Sequence, residues 1–178
     1  MIELKRVTDV NSEEYVFVEK LLVCAFPNNE RRDLDEFRSI TNSNGKFFNN
    51  IILDDRLPVG LITYWKFDGF FFFEHFATMP EYRNKGIGKR VFDNIKSNGI
   101  HPIVLETEFP VDDLTKRRIG FYERQGLKRW SSEYFQPPYR KSDGLLKMCV
   151  LTYGNLSEKN DFERIKTTIY KEVYHYNG

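Results

Sequence analysis

The sequence predicts an α+β domain built on a mixed sheet, and three observations carry that prediction. Strand-like segments at 47–53, 59–67 and 70–78 follow one another across short turns, as in an antiparallel meander. The pattern then switches to helical period at Ile87, Val91 and Ile95 and returns to a strand over 102–107. Such a strand–helix–strand alternation implies a parallel step in the same sheet. Finally, no Gly/Ser-rich or Pro-rich linker divides the 178 residues, so residues 1–178 read as one domain.

Each element has its own signal. Residues 2–7 alternate apolar and polar, the period of a half-buried strand. Asn11 and Glu14 have capping-box spacing, and Tyr15, Val18, Leu21, Leu22 and Ala25 then recur at helical period up to Pro27. Leu34, Phe37 and Ile40 mark a second, shorter helix. Asp68-Gly69 between apolar runs is a two-residue hairpin signal. Asn98-Gly99 ends the helix that starts near Ile87, since glycine suits the left-handed position after a helix. Asp112 or Asp113 caps the next helix, which runs toward Gly126. Residues 127–135 and 145–153 read as closing strands and 162–174 as a terminal helix. Four consecutive phenylalanines, Phe70 to Phe73, imply a strand covered on both faces.

Composition narrows the function. Aromatics at 16% argue against disorder. The net charge of +1 gives no support to a nucleic-acid partner. Its distribution is uneven: residues 1–82 hold nine basic and fourteen acidic side chains, whereas 83–178 hold eighteen basic and twelve acidic. Cys24 and Cys149 are far apart and no Cys/His cluster exists, so no metal site is expected. No apolar run approaches the ~18 residues of a membrane span and the start has no signal-peptide core. A cytoplasmic protein with reduced thiols, without nucleic-acid or membrane partners, is the expectation.

The most specific segment is Phe70–Arg90, a strand leading through Met79-Pro80 into Arg83-x-x-Gly86-x-Gly88 and a helix. Glycines let the backbone approach a ligand, the first helical amides lack intrahelical partners, and the helix dipole adds positive potential. Arg83, Lys85, Lys89 and Arg90 add formal charge, so phosphate is the natural guest. A Walker A loop is excluded because Arg90 follows Lys89, and a dinucleotide fingerprint because Val91 stands where its third small residue belongs.

This segment resembles the central motif of the GNAT superfamily of acyl-CoA-dependent N-acetyltransferases. Tyr122-Glu123-Arg124-Gln125-Gly126-Leu127 is similar to a second motif of that family, Tyr-x-x-x-Gly-Phe. Bacterial members of unassigned substrate share runs similar to Glu74-His75-Phe76-Ala77 and Gln136-Pro137-Pro138-Tyr139. The resemblance implies an α/β/α-layered fold with a mostly antiparallel sheet of about six to seven strands, splayed between strands 4 and 5. It implies acetyl-CoA as co-substrate, lying in that splay. Phe76, Ala77 and Thr78 would offer backbone groups to the pantetheine arm, and Arg83, Asn84, Lys85, Gly86, Ile87, Gly88 and Lys89 would wrap the pyrophosphate. The acceptor would be a primary amine of a small molecule or peptide, attacked directly in a ternary complex. A CoA-binding sensor is the alternative, and a homodimer is the default assembly.

Two residues are candidates for proton transfer. Glu74 is the expected general base: a primary amine of pKa ~10.4 is neutral in about one molecule in 10³ at pH 7, and burial would raise a carboxyl toward the useful range. The other reading of Glu74 is a carboxylate satisfied by backbone or by an arginine. Tyr122 matches the family's general acid for the departing thiolate. His75 is expected on the opposite face of the strand as a satisfied core histidine. Thr115 stands where the family often has Asn. Lys116, Arg117 and Arg118 either reach the CoA ribose phosphate or form a solvated face. Tyr134, Phe135, Pro137, Pro138 and Tyr139 either wall the acceptor pocket or form an ordered loop. Glu106 and Glu108 share one strand face and either meet an ammonium acceptor or pair with the basic helices.

Overall fold

The structure is a computed structural model that describes residues 1–140 and 142–176. Its strands are β1 (Ile2–Arg6), β2 (Phe47–Asp54), β3 (Leu57–Phe67), β4 (Phe70–Thr78), β5 (Ile103–Glu108), β6 (Lys128–Arg129), β7 (Tyr134–Gln136) and β8 (Leu146–Tyr153). Its helices are α1 (Glu13–Ala25), α2 (Leu34–Ser43), α3 (Ile87–Ser97), α4 (Asp113–Arg124) and α5 (Glu158–Glu172). The strands form one sheet in the order β1-β2-β3-β4-β5-β8-β6, with β7 also on β8. Every pairing is antiparallel except β4 with β5, the parallel step expected from the α3 crossover.

The expected closing strand over 127–135 is instead two short pieces. Between them the Glu158 carboxylate accepts from the backbone amides of Ser131 (2.8 Å) and Ser132 (2.6 Å), which takes those donors away from the sheet. This break raises the strand count to eight. The cap of α1 is Ser12, one residue beyond the expected Asn11, with its hydroxyl accepting from the Tyr15 amide at 3.1 Å. A capping box between Asp112 and Thr115 starts α4.

Two apolar clusters sandwich the sheet. Tyr15, Val18 and Leu22 of α1, Phe37 of α2 and Phe162, Ile165 and Ile169 of α5 pack on one face with Phe70 and Phe72. Ile87, Val91, Phe92 and Ile95 of α3 and Ile119 of α4 pack on the other with Phe73 and, at its edge, Phe71. The phenylalanine run is therefore covered on both sides, as its composition implies.

Two irregularities of β4 position the site. Its pairing with β5 runs from Phe71↔Ile103 to Phe73↔Leu105 and then stops. Beyond that step β4 stays on β3 while Glu106–Glu108 stay on β8, so the two strands part. At the same step β4 is bulged: Thr63 faces His75 and Tyr64 faces Phe73, leaving Glu74 unopposed. A bulge inserts a residue and breaks the period of two.

Candidate active site

The bulge changes which side chains share a face. Strict alternation would send Glu74 and His75 to opposite sides of the sheet. Instead both point to the α1/α2/α5 face, where Glu74 accepts from Trp65 and Tyr139, and His75 packs on Phe26 and Tyr139. Phe76 is back on the other face, against Phe92 and Phe121. His75 is a satisfied core histidine, as expected, but on the unexpected face. Its ring nitrogens meet the Thr63 hydroxyl (3.2 Å) and the Glu30 carbonyl (3.0 Å), and burial lowers its pKa.

Glu74 is held by an arginine. Its side chain and that of Arg32 are each only 1% exposed, with Nη2 of Arg32 3.0 Å from Oε1. Arg32 Nε (3.1 Å) and the Tyr139 hydroxyl (2.8 Å) also donate to Oε1, and Trp65 Nε1 donates to Oε2 at 2.7 Å. Arg32 has two further acceptors, Glu36 at 2.6 Å and the Val173 carbonyl at 2.7 Å. Burial by itself would raise the Glu74 pKa, but Arg32, His75 and the two neutral donors outweigh it and hold the carboxyl below its ordinary range. The expectation that burial would raise this group is thus corrected. Sequence reasoning did not find Arg32, which lies outside every periodic segment and 42 residues from its partner.

Across the opening, Glu106 is the first β5 residue past the last β4 pair. Its carboxylate accepts from the Tyr134 hydroxyl and, at 2.7 Å, from the Tyr174 hydroxyl. Burial pushes its pKa up to about 7 despite those two hydrogen bonds, with the charge of Glu74 adding to the rise. Nearer the mouth, Glu108 pairs with Arg118, so that arginine is engaged while Lys116 and Arg117 are exposed. Thr115 spends its hydroxyl on the helix cap, donating to the Asp112 carboxylate at 2.8 Å.

The anion loop is built at the start of α3. Gly86 has φ +74°, a conformation that L side chains rarely adopt, and a Cβ there would meet nothing within 4 Å. No side chain caps the helix at this residue, which leaves its first amides for a ligand. Gly88 also serves packing: a Cβ would lie 2.8 Å from Phe121 Cζ, so the missing side chain lets α4 sit close on α3. Ile87 is buried in the core, and Asn84 has φ +60°. Lys89 pairs with Asp93 and Arg90 with Asp54, both at 2.6 Å. Among the described residues, no such pair takes Arg83 or Lys85, both exposed. Two of the four expected cations therefore face solvent without a carboxylate partner among the described residues, Lys85 lying 5.5 Å from the centre of the Tyr82 ring, and the loop fits a phosphate group. Ala77 and Thr78 follow Phe76 on the stretch of β4 that has left β5. Tyr122 lies on α4 against Phe92 and Phe121, and burial pushes its hydroxyl up to about 12.

Comparisons with known proteins agree with this geometry. A model of the acetyltransferase (GNAT) family matches residues 14–127. A solved structure from Bacteroides thetaiotaomicron, named as a candidate acetyltransferase of the GNAT family, is 44% identical. It covers 98% of this chain and 99% of its own, with a TM-score of 0.95. Arabidopsis thaliana Naa50, in complex with the bisubstrate analogue CoA-Ac-MVNAL, is 18% identical over 86% of this chain and 98% of its own (TM-score 0.60). A spermidine N-acetyltransferase chimera of Vibrio cholerae SpeG and hSSAT is 14% identical over 85% and 93% (TM-score 0.59). No curated protein sequence matches the chain. The matched family model spans well over half of the residues, including the splay and the anion loop, and the chain belongs to the GNAT acetyltransferase family.

Proposed function

We propose that the chain is an acetyl-CoA-dependent N-acetyltransferase acting on a primary amine of a small molecule or peptide. The observation that carries this reading is the splay between β4 and β5 beside an uncapped α3 start with Arg83 and Lys85 free of carboxylate partners among the described residues. The α3 amides and those two cations hold the pyrophosphate, with Asn84 and Gly86 shaping the loop. The main chain of Phe76, Ala77 and Thr78, unpaired on the β5 side, holds the pantetheine arm. Tyr122 protonates the departing thiolate. Direct attack by the amine is supported by the cysteines: Cys149 is buried on β8 with its thiol pushed up by burial, and Cys24 is exposed on α1.

Calorimetry with acetyl-CoA, followed by consumption of acetyl-CoA across a panel of peptides, diamines and amino acids, tests the proposal. The peptide analogue bound by Naa50 and the spermidine of the chimera set the two ends of that panel. Binding without turnover of any amine supports a CoA sensor instead. One observation favours that second reading: Glu74 is already engaged by Arg32, Trp65 and Tyr139. No binding removes both.

A further inference from the structure

We propose that Glu106 accepts the proton of the acceptor amine, and that Tyr134 and Tyr174 are the positioning residues that hold its carboxylate. The inference rests on the acetyltransferase reading and assigns a catalytic group within it.

Phe73 and Leu105 are the last paired residues of β4 and β5, so Glu74 and Glu106 occupy the same step on two diverging strands. Both carboxylates lie on the α1/α2/α5 face, one against Trp65 and Tyr139, the other against Tyr134 and Tyr174. An ionised carboxylate has about four acceptor sites. On Glu74, Arg32 and Tyr139 crowd Oε1, Trp65 donates to Oε2, and the buried Arg32 guanidinium balances the charge. Glu106 has one hydroxyl on each oxygen and, among the described residues, no cation. It can accept a further hydrogen bond from an ammonium without competing against a bound guanidinium, as an ammonium at Glu74 would have to.

The surroundings of Glu106 set its basicity. Tyr134 of β7 and Tyr174, just past α5, donate to it; Tyr139 and Tyr170 lie near enough for its charge to raise their own pKa values; Glu74 faces it from β4. Arg32 is spent on Glu74, Glu36 and Val173. Two carboxyls whose environments push their pKa values apart are an acid–base arrangement. With the upper one at about 7, proton transfer from an ammonium of pKa ~10.4 is uphill by roughly three decades. With an ordinary carboxylate it is uphill by roughly six.

The ammonium gives one proton to Glu106 and becomes a neutral amine. Its nitrogen lone pair forms the C–N bond to the thioester carbonyl carbon, and the C–S bond breaks with its electron pair on sulfur. The second nitrogen proton leaves as the amide forms, and the thiolate takes up a proton. Glu106 returns its own proton to solvent.

The test is kcat against pH for the unaltered chain, E106Q and Y174F, with an amine the panel identifies. The unaltered chain should lose kcat below about pH 7 as Glu106 is protonated. E106Q should lower kcat at pH 7 by about 10²-fold or more and abolish that limb, while acetyl-CoA affinity by calorimetry is unchanged. Y174F should keep the limb and move it to higher pH, because the lost hydroxyl favours the anion. Carboxyl carbon NMR should show one glutamate titrating near neutrality, absent in E106Q, and this reading needs no turnover. An E106Q enzyme with unchanged kcat and limb overturns the inference and leaves the acetyltransferase reading standing. If E106Q fails to fold, an unmoved limb in Y174F together with no carboxyl titrating near neutrality overturns it. An unaltered chain that turns over no amine overturns the acetyltransferase reading and this inference with it.

Discussion

On the β4 wall of the opening, Glu74 meets a guanidinium, an indole N–H and a hydroxyl, and is fixed as an anion. On the β5 wall, Glu106 meets two tyrosine hydroxyls, and its charge is left without a counter-ion among the described residues. Both residues are buried glutamates at the same step, and burial opposes the charge of both. The largest part of the difference is one side chain, Arg32. Burial alone therefore does not say what a buried carboxylate does; the formal charge of its first neighbour decides the direction. The wall with the arginine ties α2, the end of α5 and the segment carrying Tyr139 to β4. The wall without it keeps a group that can change charge near neutral pH.

The largest expected effect breaks the first wall. E74Q leaves Arg32 buried without its main counter-charge and should cost about 3–5 kcal/mol in urea unfolding at pH 7. A loss below about 1 kcal/mol would show that the pair is not what holds this wall. Next in size is a difference of sign in the pH dependence of stability. The folded Glu106 titrates at about 7 against an ordinary 4.5, so between those values the folded state keeps a proton that the unfolded chain has lost. Stability therefore falls as pH rises through that window. E106Q should remove the fall and gain on the order of 2–3 kcal/mol over the unaltered chain at pH 8, with no gain near pH 4. Glu74, whose pKa is lowered, contributes stability above the unfolded carboxyl range and loses it as pH falls through its folded value. Equal pH profiles for the unaltered chain and E106Q would erase the contrast.

Smaller effects lie away from both walls and sharpen the comparison by leaving it intact. Y122F should lower kcat by about tenfold, since a thiolate of pKa ~8.5 departs with little help, and should not move the acid limb. Arg83→Ala should weaken CoA binding by roughly fivefold at low ionic strength and less at high salt, as an exposed charge on a phosphate requires. If it altered the acid limb as well, the anion loop and the splay would be one electrostatic unit.

Much of this arrangement was legible in the sequence. The meander, the α3 crossover and the anion loop follow from Asp68-Gly69, from Ile87, Val91 and Ile95 at helical period, and from Gly86 after Arg83. Local spacing encodes such elements, so local reading recovers them. The bulge at Glu74 was not legible, because it depends on how β3 and β4 are paired, and it put His75 on the face that strict alternation denies it. Arg32 and Tyr174 were also out of reach. Each meets its carboxylate across 42 and 68 residues of chain, through no pattern that neighbouring residues share. A packing role of Gly88 was also out of reach, since its missing side chain admits Phe121 from a distant helix.

Both walls are finished by the same short stretch: Arg32 donates to the Val173 carbonyl, 141 residues away, and Tyr174 donates to Glu106. Chains emerge from the ribosome in order, and domains begin to fold as they do. The strands that part at the splay and the glycine turn of α3 are all synthesised before residue 110. The residues of the anion loop are therefore made well before the hydroxyl of Tyr174 arrives to orient the second carboxylate. One of the two hydroxyls that hold the second carboxylate is thus a late arrival, made 68 residues after Glu106 itself.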